Sequence, residues 1–225
     1  MPTGIVTGAS RGLGLALGGV LVERGWRLVV DARGREPLDA AWAEHPGVVA
    51  VPGDVSDPEH RRALVDAAGG AIDLLVNNAS VLGPSPQPPL REYPLDVLRR
   101  VHDVNVLAPL ALVQLALPRL TTGARVLNIT SDAAVEPYEG WGGYGSSKAA
   151  LDQLSAILAA EHPELRVYAV DPGDMRTRLQ QEAFPGEDIS DRPPPEESVP
   201  GLLALIEGEL PSGRYLVRDL AGVPA

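Results

Sequence analysis

The feature that most constrains this fold is the alternation of short apolar segments with longer helical segments along 225 residues. Short runs rich in β-branched residues are typical of strands, and the segments between them have helical composition. Parallel neighbours need a crossover between them, so this order predicts a doubly wound, mainly parallel sheet with helices on both faces, a three-layer αβα arrangement. The predicted strands span residues 3–7, 27–31, 48–52, 73–77, 125–129, 166–170 and 214–217, and the predicted helices span 13–24, 38–44, 58–68, 94–120, 144–161 and 198–209.

Composition narrows the classes of function. The chain is 44% hydrophobic with a net charge of −11, which predicts one folded domain over 1–225 and disfavours nucleic acid or an anionic membrane as a partner. It has no cysteine, and its four histidines are scattered, so we predict no disulfide and no metal site. We see no secretion signal and no apolar run approaching a membrane span, and therefore expect a cytoplasmic protein.

Two segments interrupt the alternation. Residues 82–94 are dense in proline and predict a loop, and residues 174–195 are too irregular for core structure. Because the second segment follows the carboxyl end of a strand, we predict a substrate lid over about 174–197. A surface excursion without function is the alternative for this segment.

A glycine-rich turn follows the first predicted strand and opens the first predicted helix. Gly8 allows a sharp turn, Gly12 allows the backbone to approach a pyrophosphate, and Gly14 allows close packing of helix on strand. The N-terminus of a helix adds N–H donors and partial positive charge. The turn therefore predicts a dinucleotide site, although its first two glycines are spaced more widely than in GxGxxG. An ordinary glycine-rich turn is the alternative.

A tyrosine and a lysine form a candidate proton-transfer pair. Tyr144 and Lys148 are four residues apart, and a helix would place them on one face. A phenol loses its proton near pH 10, and an ammonium about 4 Å away would supply the roughly 4 kcal/mol needed to bring that pKa near neutrality. Taken alone, this pattern also occurs on solvated helix faces.

The ordered set of motifs resembles one family. The chain carries TGASRGLG at 7–14, NNA at 77–79, then Asn105, Ser131 and YGSSK at 144–148. Ser131 lies 13 residues before Tyr144, and Asn105 lies 26 residues before Ser131. Over nearly the whole chain this set resembles the short-chain dehydrogenase/reductase family. The resemblance implies a Rossmann-type sheet of about seven strands, a nicotinamide cofactor and an oxidoreductase.

The resemblance also implies roles for residues. Tyr144 would be the general acid/base in hydride transfer between NADP(H) and a carbonyl/alcohol pair, and Ser131 would stabilise charge on the substrate oxygen. Lys148 would lower the pKa of the phenol and bind the nicotinamide ribose, and Asn105 would hold a water linking Lys148 to solvent. The implied cofactor-binding residues are Gly8, Ser10, Arg11, Gly12, Leu13, Gly14, Arg33, Asp54, Val55, Asn78, Ala79, Tyr144, Lys148, Pro172, Gly173, Met175 and Thr177.

Several of these positions have structural alternatives. Ser131 could be a turn residue, Asn105 an irregularity within a helix, and Thr177 a helix cap. Asp54 could likewise be only a cap or turn residue. Ser80 stands where the family usually has glycine, and we expect a small change in the loop beside the cofactor.

The second strand bears on the choice of cofactor. Arg33 stands where members that prefer NAD carry an acidic residue, and Arg11 adds a second cation. Two guanidinium groups suit a 2′-phosphate, so NADP(H) is the predicted cofactor and NAD(H) the alternative. Asp31 leaves two roles open, a contact with a ribose hydroxyl or an ion pair with an arginine.

The substrate is predicted only as a small or medium carbonyl compound. Its site is expected between residues 81–86, 133–143 and 174–195, with an apolar surface from Tyr138, Trp141, Met175 and Phe184. Trp141 could instead anchor its loop. No basic cluster indicates a phosphorylated substrate, although Arg176 and Arg178 leave an acidic one open.

Two other functions compete with a carbonyl reductase. A sensor that binds NADP(H) without turnover could use the same fold. Relatives that epimerise or dehydrate nucleotide sugars are usually longer, which disfavours that reaction. By analogy with the family, we expect a homodimer or homotetramer assembled through residues 94–120 and 144–161.

Overall fold

The computed structural model describes residues 1–220 and contains one parallel sheet in the order β3-β2-β1-β4-β5-β6-β7. The predicted Rossmann-type, doubly wound α/β fold is therefore confirmed. The strands are β1 (Thr3–Val6), β2 (Arg27–Ala32), β3 (Val48–Pro52), β4 (Ile72–Asn77), β5 (Leu120–Ile129), β6 (Arg166–Asp171) and β7 (Gly213–Leu216).

Helices cover both faces of the sheet, as the alternation predicts. Val6, Val30 and Val76 point to one face and pack with the helices at either end of the chain, whereas Ile5, Val29 and Leu75 point to the other. The helices are α1 (Gly12–Glu23), α2 (Arg35–Trp42), α3 (Pro58–Ala68), α4 (Leu95–His102), α5 (Ala108–Ala116), α6 (Gly142–Glu161), α7 (Arg178–Ala183) and α8 (Val199–Glu207).

The strand order reverses between β1 and β4, where a crevice opens at the carboxyl ends of the strands. Thr7 ties the two strand ends together at this point. Its hydroxyl donates to the Val76 carbonyl at 3.2 Å and accepts from the N–H groups of Asn78 and Ala79, each at 3.0 Å. These buried hydrogen bonds therefore fix the ends of β1 and β4 relative to each other beside the crevice.

The helical region predicted over 94–120, with a bend expected near Pro109, is present but interrupted just before that residue. The structure has α4, a π-helical stretch (Asp103–Leu107), α5 and a 3-10 turn (Leu117–Arg119), after which β5 begins at Leu120. The irregularity precedes Pro109, which lies in the first turn of α5 and has no N–H to continue the helical hydrogen-bond pattern. The π-helical stretch contains Asn105.

The expectation that no segment would qualify as a membrane span is also wrong by length and composition. The helical stretch Leu95–Arg119 is long and apolar enough to pass that test. Half of its most apolar window is buried inside the fold, as in the core helix of a folded domain.

The predicted irregular segment 174–195 contains a short helix, α7. Thr177 caps it, accepting a hydrogen bond from Gln180 N at 3.3 Å, which confirms the helix-cap alternative for this residue. A 3-10 turn (Pro195–Ser198) leads into α8. The hydroxyl of Ser85 donates to the Glu182 carbonyl at 2.6 Å, so α7 is joined to the proline-rich loop.

Candidate active site

A cavity of about 950 Å³ lies along the crevice at the carboxyl ends of the strands. Gly14 and Asn105 are the predicted site residues that do not line it. Those that do are Gly8, Ser10, Arg11, Gly12, Leu13, Arg33, Asp54, Val55, Asn78, Ala79, Ser131, Tyr144, Lys148, Pro172, Gly173, Met175 and Thr177. The fold thus brings together residues from all parts of the sequence.

The glycine turn has the close packing predicted for it. Gly8 has a φ of 68°, and a Cβ there would lie 2.9 Å from Ala79 Cα. A Cβ on Gly14 would lie 2.6 Å from Gly8 O. The N-cap of α1, Arg11, makes no side-chain cap hydrogen bond. The first N–H groups of α1 therefore face the cavity as potential anion donors.

Asp31 pairs with a histidine and a backbone N–H rather than with an arginine, so the second of the two roles left open for it is wrong. Its Oδ1 accepts the N–H of Gly8 at 2.7 Å, and its Oδ2 lies 2.9 Å from His60 Nε2. Burial raises the pKa of Asp31, while hydrogen bonds from His60 and Gly8 oppose that shift. Because both carboxylate oxygens are engaged by protein groups, the residue belongs to the support of the glycine turn.

The adenosine end of the cavity carries opposite charges. Arg11 and Arg33 line it, as does Asp54. Arg100 on α4 forms an ion pair with Asp54 and also donates to Ser56. Partial burial opposes the shift, but hydrogen bonds from Ser56 and Arg100 lower the pKa of Asp54. Asp54 Oδ1 also accepts the N–H of Ser56 at 2.9 Å, which confirms the turn alternative for this residue, and its place in a cofactor site stays a prediction.

Tyr144 and Lys148 lie on one face of α6, as their spacing predicts. Lys148 Nζ donates to the Ile129 carbonyl at 2.7 Å and lies 5.3 Å from the centroid of the Tyr144 ring, over its face. Burial lowers the pKa of Lys148 to about 8. Burial also raises the pKa of Tyr144 far above its ordinary value, although hydrogen bonding to Ser80 and Ser131 lowers it.

The effect of Lys148 on the phenol pKa stays a prediction, because the net rise in that pKa has burial as its largest cause. The ammonium faces the ring and a carbonyl, and burial of the phenol outweighs the favourable hydrogen bonds. The two serine hydroxyls are the groups that favour the phenolate.

Ser131 stands at the end of β5 and opens a 3-10 turn (Asp132–Ala134). Its hydroxyl donates to Asp132 Oδ1 at 2.8 Å and accepts from Ala133 N at 3.2 Å. Asp132 Oδ2 accepts from the Tyr138 hydroxyl at 2.9 Å. Ser131 is thus a turn residue, and its hydroxyl also lines the cavity beside the phenol. The turn alternative and the predicted role toward the substrate oxygen are therefore compatible.

Asn105 lies behind the cavity wall and hydrogen-bonds to the segments that form it. Its Nδ2 donates to Val81 O at 2.9 Å and to Ser147 Oγ at 3.0 Å, while its Oδ1 accepts from Val81 N at 2.9 Å and Ser80 Oγ at 3.1 Å. These bonds join the loop after β4 to α6, next to Tyr144. In this structure the side chain of Asn105 is a positioning group, and the water link stays a prediction.

The end of the cavity beside Tyr144, where the sequence predicts the substrate and which we call the substrate end, is apolar and aromatic. Leu82, Ala133 and Tyr144 form a small buried cluster against Trp141 and against Leu179 of α7. The ring centroid of Trp141 lies 5.9 Å from that of Tyr144 and 6.0 Å from those of Tyr138 and Phe184. Met175 instead packs partly against the core on the α1 side. Trp141 is therefore both the loop anchor and a wall of the cavity.

Several residues of the site were not predicted. Arg100 and Asp132 line the cavity, and His60 supports it from α3. Asp132 follows Ser131 directly and could have been found by that adjacency. His60 and Arg100 reach the site only through the packing of their helices, for which the sequence has no local signal.

The fold and the cleft define this chain as a dinucleotide-binding protein of the Rossmann type. The short chain dehydrogenase family model matches residues 3–188. An uncharacterised oxidoreductase of Saccharomyces cerevisiae is 31% identical over 98% of this chain and 90% of its own length. The benzil reductase ((S)-benzoin forming) of the same yeast is 30% identical over the same shares.

Solved structures agree. A short chain dehydrogenase from Escherichia coli CFT073, complexed with NADPH, superposes with a TM-score of 0.88 at 26% identity, covering 96% of each chain. The protein described here belongs to the short-chain dehydrogenase/reductase family of oxidoreductases, as the ordered motifs indicate.

Proposed function

We propose that this protein is an NADP(H)-dependent oxidoreductase that interconverts a carbonyl compound and its alcohol. The observation that carries the proposal is the convergence of Ser131, Tyr144 and Lys148 on one end of a cavity whose other end has the glycine turn. Tyr144 and Lys148 lie on α6, and Ser131 caps the 3-10 turn that follows β5, so regular elements hold all three side chains in place.

The residues present fit a dinucleotide. Gly8 and Gly12 leave backbone space at the start of α1, and Arg11 and Arg33 supply charge for a 2′-phosphate. Asp31 is turned into the protein rather than toward a ribose, which favours NADP(H) over NAD(H). The NADPH complex of the Escherichia coli relative supports the same choice. When bound, NADP(H) supplies or accepts the hydride.

The protein's own residues manage the proton and the developing charge. Tyr144 donates its proton to the substrate oxygen in reduction and accepts it back in oxidation. Ser131 hydrogen-bonds the same oxygen, once its hydroxyl turns from Asp132 toward the cavity. Lys148 holds positive charge over the ring of Tyr144, and the apolar cluster around the phenol excludes water.

The substrate end favours a neutral aromatic compound. Aromatic rings pack edge to face, and Trp141 presents its ring between Tyr144 and the lid residue Phe184. Arg178 is paired with Glu182 at 2.7 Å, and Arg176 donates to the Ser190 carbonyl at 3.3 Å, so both arginines are already engaged. The yeast relative named as a benzil reductase makes benzil the first substrate to test.

The test is NADPH oxidation with benzil and a panel of ketones and aldehydes, using Tyr144→Phe as the matched variant. We expect turnover by the wild type and a loss of about a thousandfold in the variant, with NADPH binding retained. A protein that binds NADPH but turns over no member of the panel would be the sensor instead. Turnover that is the same in Tyr144→Phe as in the wild type would contradict the role proposed for the phenol.

The assembly is proposed from the exposed apolar side chains of two long helical stretches. Leu95, Leu107 and Ile157 are exposed on the α4–α5 stretch and α6, which suits the homodimer or homotetramer expected of the family. Light scattering on the wild type and on Leu107→Glu would measure the assembly and its dependence on this surface. A cytoplasmic location stays a prediction.

A further inference from the structure

An arginine on the last strand contacts three elements of the candidate active site. Arg214 lies on β7, at the edge of the sheet, where it pairs with Ala169 of β6. Its Nε donates to Asp152 Oδ2 at 2.9 Å, and its Nη2 donates to the Ser131 carbonyl at 3.1 Å and lies 3.4 Å from Asp171 Oδ2. The side chain is 28% exposed and does not line the cavity. One guanidinium group therefore joins the ends of β5 and β6 to α6 from outside the cavity.

Each of the three acceptors adjoins a group that the proposed function uses. The carbonyl belongs to Ser131 itself. Asp152 is four residues after Lys148 on α6, so it lies one turn further along the same face. Asp171 lines the cavity, and its Oδ1 accepts the N–H of Gly173 at 3.0 Å. The arginine thus sets the serine, the helix of the lysine and the turn after β6 relative to one another.

The contact with the carbonyl bears directly on the direction of the serine hydroxyl. The Ser131 carbonyl also accepts the N–H of Ala134 at 3.1 Å, which closes the 3-10 turn after β5. A carbonyl oxygen has two lone pairs, so it can accept from Ala134 and Arg214 together. A rotation of this carbonyl would weaken both hydrogen bonds. The orientation of the residue that carries the hydroxyl therefore depends on the guanidinium group.

The arrangement requires the shape of an arginine as well as its charge. A guanidinium group is planar and presents five N–H donors in a fixed fork, whereas a lysine ammonium is a single point of charge on a flexible stem. Here different nitrogens serve the helix and the serine carbonyl, Nε the first and Nη2 the second. A lysine would keep the charge, which the guanidinium never loses, but not the two fixed directions.

We propose that Arg214 is a positioning residue for the reaction, because its guanidinium group fixes the turn of Ser131 against α6 so that the hydroxyls of Ser131 and Tyr144 meet the same substrate oxygen. The inference rests on the proposed function, since the arginine acts through the serine. It gives a part in the catalytic geometry to a residue that lies far along the chain from every motif of the site.

The first experiment is a kinetic cycle that combines Arg214→Lys with Ser131→Ala, with benzil and NADPH as substrates. In the wild-type background, Arg214→Lys should lower kcat about tenfold and change KM for benzil and the Kd of NADPH less than about twofold, because misplacement affects the reacting geometry. In the Ser131→Ala background it should change kcat less than about twofold, because the hydroxyl to be positioned is gone.

Hydrogen exchange of the protein without cofactor gives a second readout, which needs no turnover. Arg214→Lys should speed the exchange of the Ala134 N–H about fivefold or more, because the turn that this N–H closes is then less constrained. Arg125→Lys is the matched control. Arg125 lies on β5 and donates to the Gly123 and Gly208 carbonyls at 2.9 and 3.1 Å, away from the cavity. This control should change neither kcat nor the exchange at Ala134.

Three results would each overturn the inference: unchanged exchange at Ala134 in Arg214→Lys, an equal loss of kcat with and without the serine hydroxyl, or a loss that appears in KM or NADPH affinity instead of kcat. If Arg214→Lys does not fold, Arg214→Gln takes its place under the same criteria. A wild type that turns over no carbonyl compound would instead remove the proposed function, and the exchange at Ala134 would still decide whether the arginine fixes the turn.

Discussion

The two ends of the cleft are built on different principles. At the cofactor end, backbone approaches backbone, and buried polar groups hold the glycine turn in place: Asp31 joins it to β2, and Thr7 joins it to the end of β4. At the substrate end, side chains from the loop before α6 and from α7 meet through apolar and aromatic contacts. Under the proposed function, the first end would recognise one fixed ligand and tolerate little change, whereas the second could vary its side chains to suit a substrate.

The largest expected effect compares one glycine from each end. Gly8 and Gly186 both have positive φ, at 68° and 84°, but only Gly8 would place a Cβ against neighbouring backbone. Gly8→Ala should weaken NADPH binding at least about a hundredfold, because the turn must shift away from Ala79. Gly186→Ala should cost about 1 kcal/mol of stability through strain alone and leave NADPH affinity unchanged.

Fluorescence titration and thermal unfolding of both variants would measure these effects. Equal losses of NADPH affinity in Gly8→Ala and Gly186→Ala would show that cofactor binding depends on positive φ and not on the close packing of Gly8.

The next effect isolates the charge at the cofactor end. Arg33→Ala should weaken NADPH about thirtyfold while changing NADH little, because charge-assisted hydrogen bonds to a phosphate contribute about 2 kcal/mol. Arg178→Ala removes a cation that is paired with Glu182 on the lid, and should alter neither affinity. Titration of both dinucleotides into each variant measures the ratio of the NADPH affinity to the NADH affinity. If that ratio is unchanged in Arg33→Ala, a residue other than Arg33 discriminates between the two cofactors.

The substrate end should respond through KM rather than through cofactor affinity. Trp141→Leu removes the ring between Tyr144 and Phe184, and should lower kcat/KM for benzil about tenfold without changing NADPH binding. Trp141→Phe should recover most of that loss. Trp26→Leu is the control, because Trp26 packs against the core beside α1 and not against Tyr144. This variant should leave kcat/KM for benzil unchanged. A loss of NADPH affinity in Trp141→Leu would break the separation of the two ends.

The smallest effect lies where the two ends meet. Ser80 lowers the pKa of Tyr144 and also donates to Asn105 at 3.1 Å. Ser80→Ala should raise the phenol pKa, so alcohol oxidation, which needs the phenolate, should require higher pH. Carbonyl reduction, which needs the protonated phenol, should persist to higher pH by the same shift. Rate profiles in both directions measure it, and a shift toward lower pH would contradict the role assigned to Ser80.

Local patterns predicted most of the fold and the site. Strands and helices alternate as expected, and the glycine turn and the Tyr144–Lys148 pair lie where their spacing placed them. Those predictions succeeded because a period of two or of 3.6 residues, or a turn that needs glycine, is a property of neighbours along the chain. The irregularity at Asn105, an alternative that the sequence offered, is confirmed by the π-helical stretch. The helix α7 was missed, because a six-residue helix has no distinct periodicity.

The amino-acid sequence by itself determined the order of the elements, the turn that fits a pyrophosphate and the set of hydroxyl, phenol and amine that converges on the cleft. Tertiary structure decided what each group contacts: His60 as the partner of Asp31, Arg100 as that of Asp54, and burial as the dominant influence on the pKa of Tyr144. The physical reason is that pairing, burial and pKa depend on distances between elements remote in sequence.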